Sequence, residues 1–286
     1  MTTRIGDVLG QRYELTKVIG RGGQSTVFRA RDLVDGDEVA IKLVHGALGD
    51  PDATERIFRE AQSMSQLLGT SAVRILHQVR TDDGEIGLVM ELLEGRDLDA
   101  ELGELEARGE YPSFAWLERT FTPIVETLAT AHDRGLVHRD LKAENVFLVG
   151  ESRGGGVRLL DFGFVKLLRS PTITAAEMVA GSPSYISPEA FVRGAAVADV
   201  RADVYSLSVI LFRALFGKLP FEGDSVIRIM VEVTTAPRPR VHALRPELSP
   251  DIDAWVQQAL AIDRDDRFST VSGTWRALRS CFPGAW

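Results

Sequence analysis

The sequence has one cysteine, no long hydrophobic run and no excess of positive charge, and each of these shortages excludes a class of protein. Cys281 stands alone among 286 residues, so no intrachain disulfide can form, and we expect a reducing, cytoplasmic environment. The longest apolar stretch, residues 206–216, contains two serines and an arginine and is too short to cross a bilayer. The net charge of -8 argues against nucleic acid or an anionic membrane as a partner, because both require a basic surface.

The first third of the chain has the pattern of an antiparallel sheet. Five short segments rich in apolar and β-branched residues follow one another there. Asp-Gly pairs separate the second segment from the third and the fourth from the fifth, and such pairs between strands predict hairpins. The segments span residues 13–20, 25–34, 38–44, 73–80 and 86–92, and the pairs are Asp35-Gly36 and Asp83-Gly84.

A single helix is predicted between the third and fourth of these strands. Asp50 is placed as its N-cap and Pro51 as its first helical residue. Glu60 falls inside the apolar stripe of this helix, where a carboxyl group must either find a cationic partner or stay protonated, and we expect a buried partner. The stripe consists of Ala53, Ile57, Ala61, Met64, Leu67 and Leu68.

Beyond residue 96 the apolar residues recur with helical spacing. A chain of this length forms one large or two modest domains. We therefore predict an α+β protein with a small sheet-rich lobe at 13–92, a connection at 93–97 and a larger helical lobe at 98–281. The clearest helical segments lie within residues 112–135, 202–217, 251–262 and 269–282.

A glycine-rich segment lies between the first two predicted strands, with Gly20, Gly22 and Ser25 in the spacing G-x-G-x-x-S. Strands on both sides make it a hairpin, which disfavours the strand-to-helix turn of a dinucleotide site, and the Lys-Ser/Thr ending of a Walker loop is missing. A glycine hairpin can lay its backbone N–H groups over phosphates without side-chain clashes. A simple tight turn is the alternative.

Two charged residues are out of place in this small lobe. Lys42 lies in the middle of an apolar strand, where an isolated lysine would ordinarily be interpreted as reaching solvent from a sheet edge. Glu60 lies in the apolar stripe of the helix. Because each charge satisfies the other, we predict an ion pair that positions the lysine amine.

Polar residues are crowded between two apolar flanks in GLVHRDLKAENVFLV, residues 135–149. Leu136 and Val137 on one side and residues 146–149 on the other are predicted to be buried strand ends. Flanks of this kind hold a polar loop in place, and rigidly held loops are common sites of catalysis.

Five motifs stand in one order along the chain, and together they resemble the eukaryotic-type (Hanks-type) protein kinase family, in particular its bacterial serine/threonine kinases. The resemblance covers roughly residues 13–280. It implies a two-lobed protein kinase fold, with a small antiparallel-sheet N-lobe carrying one main helix and a larger, mainly helical C-lobe. The motifs are G-x-G-x-x-S-x-V (20–27), VAIK (39–42), HRDLKAEN (138–145), DFG (161–163) and SPE (187–189).

The resemblance implies catalytic roles for the second lobe. Asp140 matches the base that accepts the proton of a substrate hydroxyl, and Lys142 matches the cation that offsets charge on the moving phosphoryl group. Asn145 and Asp161 match the two magnesium ligands. Taken one at a time, Asp140 could be a turn residue, Asn145 a cap and Asp161 the start of an Asx turn.

The resemblance also implies a nucleotide pocket in the first lobe. Lys42 matches the lysine on the α- and β-phosphates of ATP, and Glu60 matches its helix partner. The glycine segment, with Gly20, Gly22, Gly23 and Ser25, would cover the phosphates, and Met90 would be the gatekeeper. The backbone of Glu91 and Leu93 would pair with the adenine edge, and Ile19, Val27 and Ala40 would lie above the ring, although plain strand core explains such apolar residues equally well.

The hydroxyl-rich stretch between DFG and SPE resembles an activation loop. Thr172 and Thr174 are its best autophosphorylation candidates, followed by Ser170, and Arg139 resembles the arginine that pairs with such a phosphorylated residue. The alternative is a solvated loop in which threonine is merely tolerated.

Four further residues match supporting positions of the family. Ser182 would hydrogen-bond Asp140 and Lys142, Glu189 would form an ion pair with Arg267, and Asp203 would brace the catalytic loop. An ordinary helix cap is the alternative for Asp203.

The first functional hypothesis is a serine/threonine protein kinase that uses ATP and Mg²⁺, acts on Ser/Thr hydroxyls of protein substrates, and phosphorylates itself in trans. The second is a pseudokinase that binds nucleotide as a scaffold, which loss of Lys42, Asp140 or Asp161 would have favoured. A small-molecule kinase is disfavoured by the long loop ending in SPE, which resembles a platform for protein substrates.

Overall fold

The computed structural model describes residues 4–22, 25–45, 61–81, 84–162, 183–194 and 198–282. The described residues up to Glu94 form one compact unit, and those from Gly95 onward form another. Among the described helices, none is both long enough and apolar enough to cross a membrane.

The first unit contains a six-stranded antiparallel sheet with the strand order β1-β2-β3-β4-β6-β5. All five predicted strands are confirmed, and the second ends two residues early because the turn around Gly36, where φ is +79°, starts after Asp32. The sixth strand is a short N-terminal addition. The bounds are β1 Val8–Leu9, β2 Tyr13–Gly22, β3 Ser25–Asp32, β4 Glu38–Val44, β5 Ile75–Arg80 and β6 Ile86–Glu91.

The two faces of this sheet carry different side chains, because directly paired residues in an antiparallel sheet point to the same face. One face forms a hydrophobic core. The other carries Lys42 together with its direct partners Val27 and Leu88, and Ala40 together with its partner Met90. The core face consists of Leu9, Tyr13, Leu15, Phe28, Ala30, Val39, Ile41, Leu43 and Val89.

Only the end of the predicted helix of this unit can be compared with the structure. Ala61, Met64 and Leu67 are buried as predicted. The placement of Leu68 in the apolar stripe is wrong, since this residue is 64% exposed. The chain tightens into a 3₁₀ turn at Ser65–Leu67 and becomes extended at Leu68, which rotates that side chain out of the stripe. The predicted N-cap and first helical residue, with Ala53, Ile57 and Glu60, lie outside the described residues.

An ion pair in the first unit joins Arg12, which lies between β1 and β2, to the β3–β4 turn. The Arg12 guanidinium donates to both carboxylate oxygens of Asp32 at 2.7–2.9 Å and to Asp35 at 2.6 Å. Hydrogen bonds from Arg12 lower the pKa of Asp32 to about 2, well below its ordinary value.

This shift predicts a loss of stability in acid. As the pH falls through about 4, Asp32 becomes protonated in the unfolded chain, whereas in the folded chain it stays ionised until about pH 2. The stabilisation of the folded state by ionised Asp32 is complete above about pH 4 and is lost as the pH falls from about 4 to about 2. We expect Asp32→Asn to be less stable at neutral pH and to lose less stability in acid, measured by circular dichroism melts at pH 2 to 6. The exposed Asp37, replaced in the same way, is the control, and parallel pH profiles for parent and Asp32→Asn would contradict the assignment.

The second unit is mainly helical, and its four predicted helices are confirmed. Three more, α1, α3 and α5, were not predicted. Helix α1 has an N-cap at Asp97 and a left-handed glycine at Gly109, but only Leu98 and Leu102 are buried, which leaves a weak apolar pattern. Helix α5 is rich in β-branched residues, which favour strands, so its sequence does not indicate a helix. The bounds are α1 Leu98–Arg108, α2 Phe114–Asp133, α3 Pro188–Arg193, α4 Val200–Phe216, α5 Val226–Thr235, α6 Asp251–Ala259 and α7 Val271–Arg279.

A small three-stranded sheet with the order β7-β8-β9 also belongs to the second unit. Its strands are β7 Gly95–Asp97, β8 Val146–Val149 and β9 Val157–Leu159. Gly95 is required here because a Cβ atom would lie 2.0 Å from the Leu148 carbonyl oxygen. Strand β8 of this sheet thus holds the chain immediately after the polar segment 138–145.

Candidate active site

The polar loop 138–145 lies between helix α2 and strand β8. Residues 146–149 form a strand as predicted. The prediction of a second strand end at Leu136 and Val137 is wrong, since both residues are irregular and half-buried. Helix α2 ends at Asp133 and the chain turns through Gly135, where φ is +74°, so these residues pass directly from a turn into the loop.

The β8–β9 hairpin brings two of the candidate residues to one place. Val146 pairs with Leu159, and the Leu160 N–H donates to the Asn145 carbonyl oxygen at 2.8 Å. Asn145 therefore stands just before one strand and Asp161 just after the other, at the same open end of the hairpin. The backbone of Asp161 has a φ of +54°, a sparsely populated conformation that costs about 1–3 kcal/mol for a residue other than glycine.

Asn145 is joined to Asp140 by its side-chain amide. Its Nδ2 donates to the Asp140 carbonyl oxygen at 2.7 Å and lies 3.3 Å from the Asp140 Oδ2. A carbonyl oxygen only accepts hydrogen bonds, so this contact fixes which way the amide points. The Asn145 Oδ1 is consequently the amide atom that can serve a ligand.

Lys142 precedes this amide in an extended conformation, with φ of -157° and ψ of 166°. The following residues, Ala143–Asn145, form a 3₁₀ turn in which the Asn145 N–H donates to the Lys142 carbonyl oxygen at 3.0 Å. One side-chain hydrogen bond and one short turn thus hold the Asp-x-Lys-x-x-Asn spacing.

His138 is fully buried beneath this loop. Its Nε2 lies 2.9 Å from the Leu160 carbonyl oxygen, and its Nδ1 accepts from the Asp140 N–H at 3.3 Å. Because the carbonyl only accepts and the N–H only donates, the ring is held as the neutral tautomer with its proton on Nε2. Its ring packs 4.6 Å from that of Phe162. The role of His138 in joining the loop to β9 was not predicted.

Burial lowers the pKa of His138, although nearby carboxylates act in the opposite direction. As the pH falls below about 6.5, the unfolded chain binds a proton that the folded chain excludes, so this contribution to stability, complete above that pH, declines in acid. We expect His138→Gln, which keeps a donor for the Leu160 carbonyl, to flatten the dependence of the unfolding free energy on pH between 8 and 5. Urea unfolding followed by tryptophan fluorescence would measure this, and equal pH slopes in parent and variant would contradict it.

Asp203 holds the start of the loop from helix α4. Its carboxylate accepts from the backbone N–H of His138 at 2.7 Å and of Arg139 at 2.9 Å, and it lies 2.8 Å from His132 Nε2. It is not a helix cap, since Asp199 caps α4. These contacts hold Arg139 at a φ of +61°, a strained value that a free loop would relax. His132 was not predicted, and no motif signal marks it.

The predicted pair of Glu189 and Arg267 is buried in the same unit. Two hydrogen bonds of 2.6 and 2.9 Å join the carboxylate and the guanidinium, and the Arg267 side chain is 0% exposed. The remaining Arg267 donors reach the carbonyl oxygens of Ala261, Arg201 and Ile262. Burial alone would raise the pKa of Glu189, but the hydrogen bonds from Arg267 hold it below its ordinary value.

Lys42 lies on an inner strand of the first unit. Strand β4 pairs with β3 on one side and β6 on the other, and Lys42 is only 5% exposed. The alternative of a lysine reaching solvent from a sheet edge is therefore wrong. Its predicted partner, Glu60, lies outside the described residues.

The glycine-rich segment is a hairpin, as predicted. Gly20 pairs with Val27 and Gly22 with Ser25, while Gly23 lies outside the described residues. Neither paired glycine has a positive φ, and a Cβ at Gly20 would meet Val27 at an ordinary 3.6 Å. The sheet itself therefore does not require glycine at these two positions.

Three of the candidate adenine residues, Val27, Ala40 and Met90, lie on the Lys42 face. Ala40 is 6% exposed and pairs with Met90, whereas Ile19, next to an irregularity in the β2–β3 register, is 45% exposed. The Glu91 N–H donates to the Arg74 carbonyl oxygen at 3.1 Å, so that donor is not available to a nucleotide base. Leu93 is half-buried. The phosphorylation candidates Ser170, Thr172 and Thr174, together with Ser182, lie outside the described residues.

Residues 13–277 match the model of the protein kinase domain family. The chain is 35% identical over 282 residues to a probable serine/threonine-protein kinase PknB of Corynebacterium glutamicum, covering 93% of this chain and 41% of that protein. It is 36% identical over 263 residues to the serine/threonine-protein kinase PknL of Mycobacterium tuberculosis, covering 92% and 63%. The chain thus spans only part of the length of both relatives.

Among solved structures, the crystal structure of the Mycobacterium tuberculosis PknI kinase domain superposes with a TM-score of 0.72 at 22% identity, covering 98% of this chain and 99% of that one. This likeness confirms the predicted fold. The antiparallel sheet of one unit and the helices of the other are those expected of a protein kinase fold. Since the family model matches nearly all of the chain, the chain belongs to the protein kinase domain family.

Proposed function

We propose that this chain transfers the γ-phosphoryl group of ATP to Ser and Thr hydroxyls of protein substrates, including a second copy of itself. The observation that carries the proposal is the arrangement of Asp140, Asn145 and Asp161 around the open end of the β8–β9 hairpin. Phosphoryl transfer is catalysed mainly by positioning and electrostatics, and here hydrogen bonds hold Asn145 to Asp140 while the hairpin brings Asp161 to the same end.

In the proposed reaction Asp140 is the base. The substrate hydroxyl oxygen forms a bond to the γ-phosphorus, the bond from that phosphorus to the bridging oxygen breaks, and ADP leaves with the electron pair. The hydroxyl proton passes to the Asp140 carboxylate. Lys142, two residues further along the same loop, offsets negative charge on the phosphoryl group as it moves.

The donor atoms of this unit fit Mg²⁺. The Asn145 Oδ1 is free to face a ligand because Nδ2 is held by Asp140, and Asp161 adds a carboxylate at the same hairpin end. Mg²⁺ prefers such hard oxygen donors and ordinarily completes its shell with phosphate oxygens and water. Within the described ranges, no group of three or more His, Cys, Asp or Glu could hold a metal by itself, and a nucleotide-bound Mg²⁺ needs none. When bound, it would neutralise charge on the phosphates.

The nucleotide is proposed to bind through the Lys42 face of the first unit. Lys42 would contact the α- and β-phosphates, with Glu60 as its partner, and the glycine hairpin would supply backbone N–H groups. Val27, Ala40 and Met90 would contact the adenine, since strand pairing puts all three on this face. The single, buried Cys281 supports the accompanying proposal of a cytoplasmic location.

Intact mass spectrometry after incubation with Mg-ATP and a generic acceptor protein tests this function. We expect the mass of this chain and of the acceptor to increase in steps of one phosphoryl group. In this chain, peptide mapping should locate the added phosphoryl groups on Thr172, Thr174 or Ser170. An ATP analogue with a methylene group between the β- and γ-phosphorus is the control, because its bridge does not break. Nucleotide binding without any transfer, to itself or to the acceptor, would contradict the proposal and favour a scaffold.

A further inference from the structure

A row of three polar side chains crosses the first unit at the end of its sheet nearest the glycine hairpin. The Thr26 Oγ1 lies 3.0 Å from the His45 Nε2, and the His45 Nδ1 lies 2.9 Å from the Glu85 Oε1. No role proposed above uses Thr26, His45 or Glu85. We refer to these three residues as the histidine bridge.

The strand register explains how the bridge forms. Thr26 pairs with Leu43, and His45 follows two residues later, so His45 lies diagonally across from Thr26 on the same face. The β4–β6 pairing ends with Val44 opposite Ile86, which leaves His45 beside Glu85. The bridge thus lies on the face opposite Lys42 and joins β3, the end of β4 and the start of β6.

Hydrogen-bond chemistry gives the bridge a direction. A carboxylate oxygen only accepts hydrogen bonds, so the His45 Nδ1 carries a hydrogen and donates to the Glu85 Oε1. In the neutral ring Nε2 then accepts from the Thr26 hydroxyl, which orients that side chain. Glu85 is itself fixed, since its N–H donates to the Thr81 Oγ1 at 2.9 Å and its carbonyl accepts from the Thr81 N–H at 3.0 Å.

We propose that the histidine bridge holds the glycine-rich hairpin in its nucleotide-binding position. Thr26 pairs with Arg21, one step from the pair of Gly22 and Ser25 beside the hairpin tip, so the bridge is the side-chain tether closest to that tip among the described residues. Its neighbour Val27 faces the Lys42 side of the sheet. The three bridge residues act as positioning residues, and the inference rests on the proposed nucleotide site.

The bridge is expected to affect nucleotide affinity and not the chemical step. Without it the hairpin spends less time in the binding conformation, and the apparent dissociation constant rises as that fraction falls. Loss of one net hydrogen bond corresponds to about 3- to 10-fold. The value of kcat is expected to stay within about twofold, because no bridge residue supplies a reacting group.

Paired substitutions at Thr26 provide the test. Thr26→Val keeps the shape and removes the hydroxyl, whereas Thr26→Ser keeps the hydroxyl. We expect Thr26→Val and His45→Ala to raise the KM for ATP and the calorimetric Kd for Mg-ADP by about 3- to 10-fold, and Thr26→Ser to match the parent. The double variant Thr26→Val/His45→Ala should have the same KM for ATP and Kd for Mg-ADP as His45→Ala alone. His77→Ala, which removes an exposed histidine from β5, is the matched control.

A purely structural role would give a different result. A lower melting temperature with unchanged KM and Kd, or equal impairment in Thr26→Ser and Thr26→Val, would overturn the proposal. If His45→Ala does not fold, the two Thr26 variants decide the question. A parent that binds Mg-ADP but transfers no phosphoryl group refutes the proposed function alone, because the Kd comparison still tests the bridge, whereas a parent that binds no nucleotide refutes both.

Discussion

Asp140→Asn is expected to lower kcat by about 10²- to 10⁴-fold, the usual contribution of a general base. Asparagine has nearly the same shape but cannot take up the hydroxyl proton. The backbone contacts of this residue survive the change, since Asn145 donates to the Asp140 carbonyl oxygen and His138 accepts from the Asp140 N–H. The loop should therefore keep its conformation while losing its base.

Two measurements separate this outcome from general damage. The Kd for Mg-ADP and the urea midpoint are expected to match those of the parent, because the proposed role of Asp140 is confined to the transfer step. Asp133→Asn makes the same chemical change at an exposed position at the end of helix α2 and should leave kcat unaltered. Comparable activity in Asp140→Asn and the parent would remove Asp140 from the mechanism.

Glu189→Gln is expected to reduce the free energy of unfolding by about 3–5 kcal/mol, the usual cost of leaving one member of a buried ion pair without its partner. The Arg267 guanidinium is fully buried, so it cannot recover hydration when the carboxylate is lost. Arg267→Met should cost at least as much, because it also leaves the carbonyl oxygens of Ala261 and Ile262 without these donors.

A surface pair in the same unit is the matched control. Arg228 and Glu232 are four residues apart on helix α5 and join at 2.9 Å, but the Arg228 side chain is 63% exposed. Glu232→Gln should change stability by about 0.5 kcal/mol or less. Urea unfolding followed by tryptophan fluorescence measures both variants, and a similar loss in each would show that burial does not set the cost.

Local pattern was a good guide to the sheet of the first unit. Alternation and Asp-Gly turns predicted its five longer strands, because a strand is defined by neighbours two residues apart. The same reasoning failed at Leu136 and Val137, where an apolar pair has no paired strand in the described structure. It also failed at Leu68, because the switch to a 3₁₀ turn depends on the path of the chain after the helix.

By itself the sequence determined the family, the kinds of side chain available for the reaction and the order in which they occur along the chain. Only the tertiary structure decided how they are held. Asp203 binds the N–H of Arg139 from 64 residues away, and Glu189 binds Arg267 from 78 residues away. Such partners leave no local period in a sequence, because their pairing depends on how distant elements pack and on the need to satisfy buried charges and N–H groups.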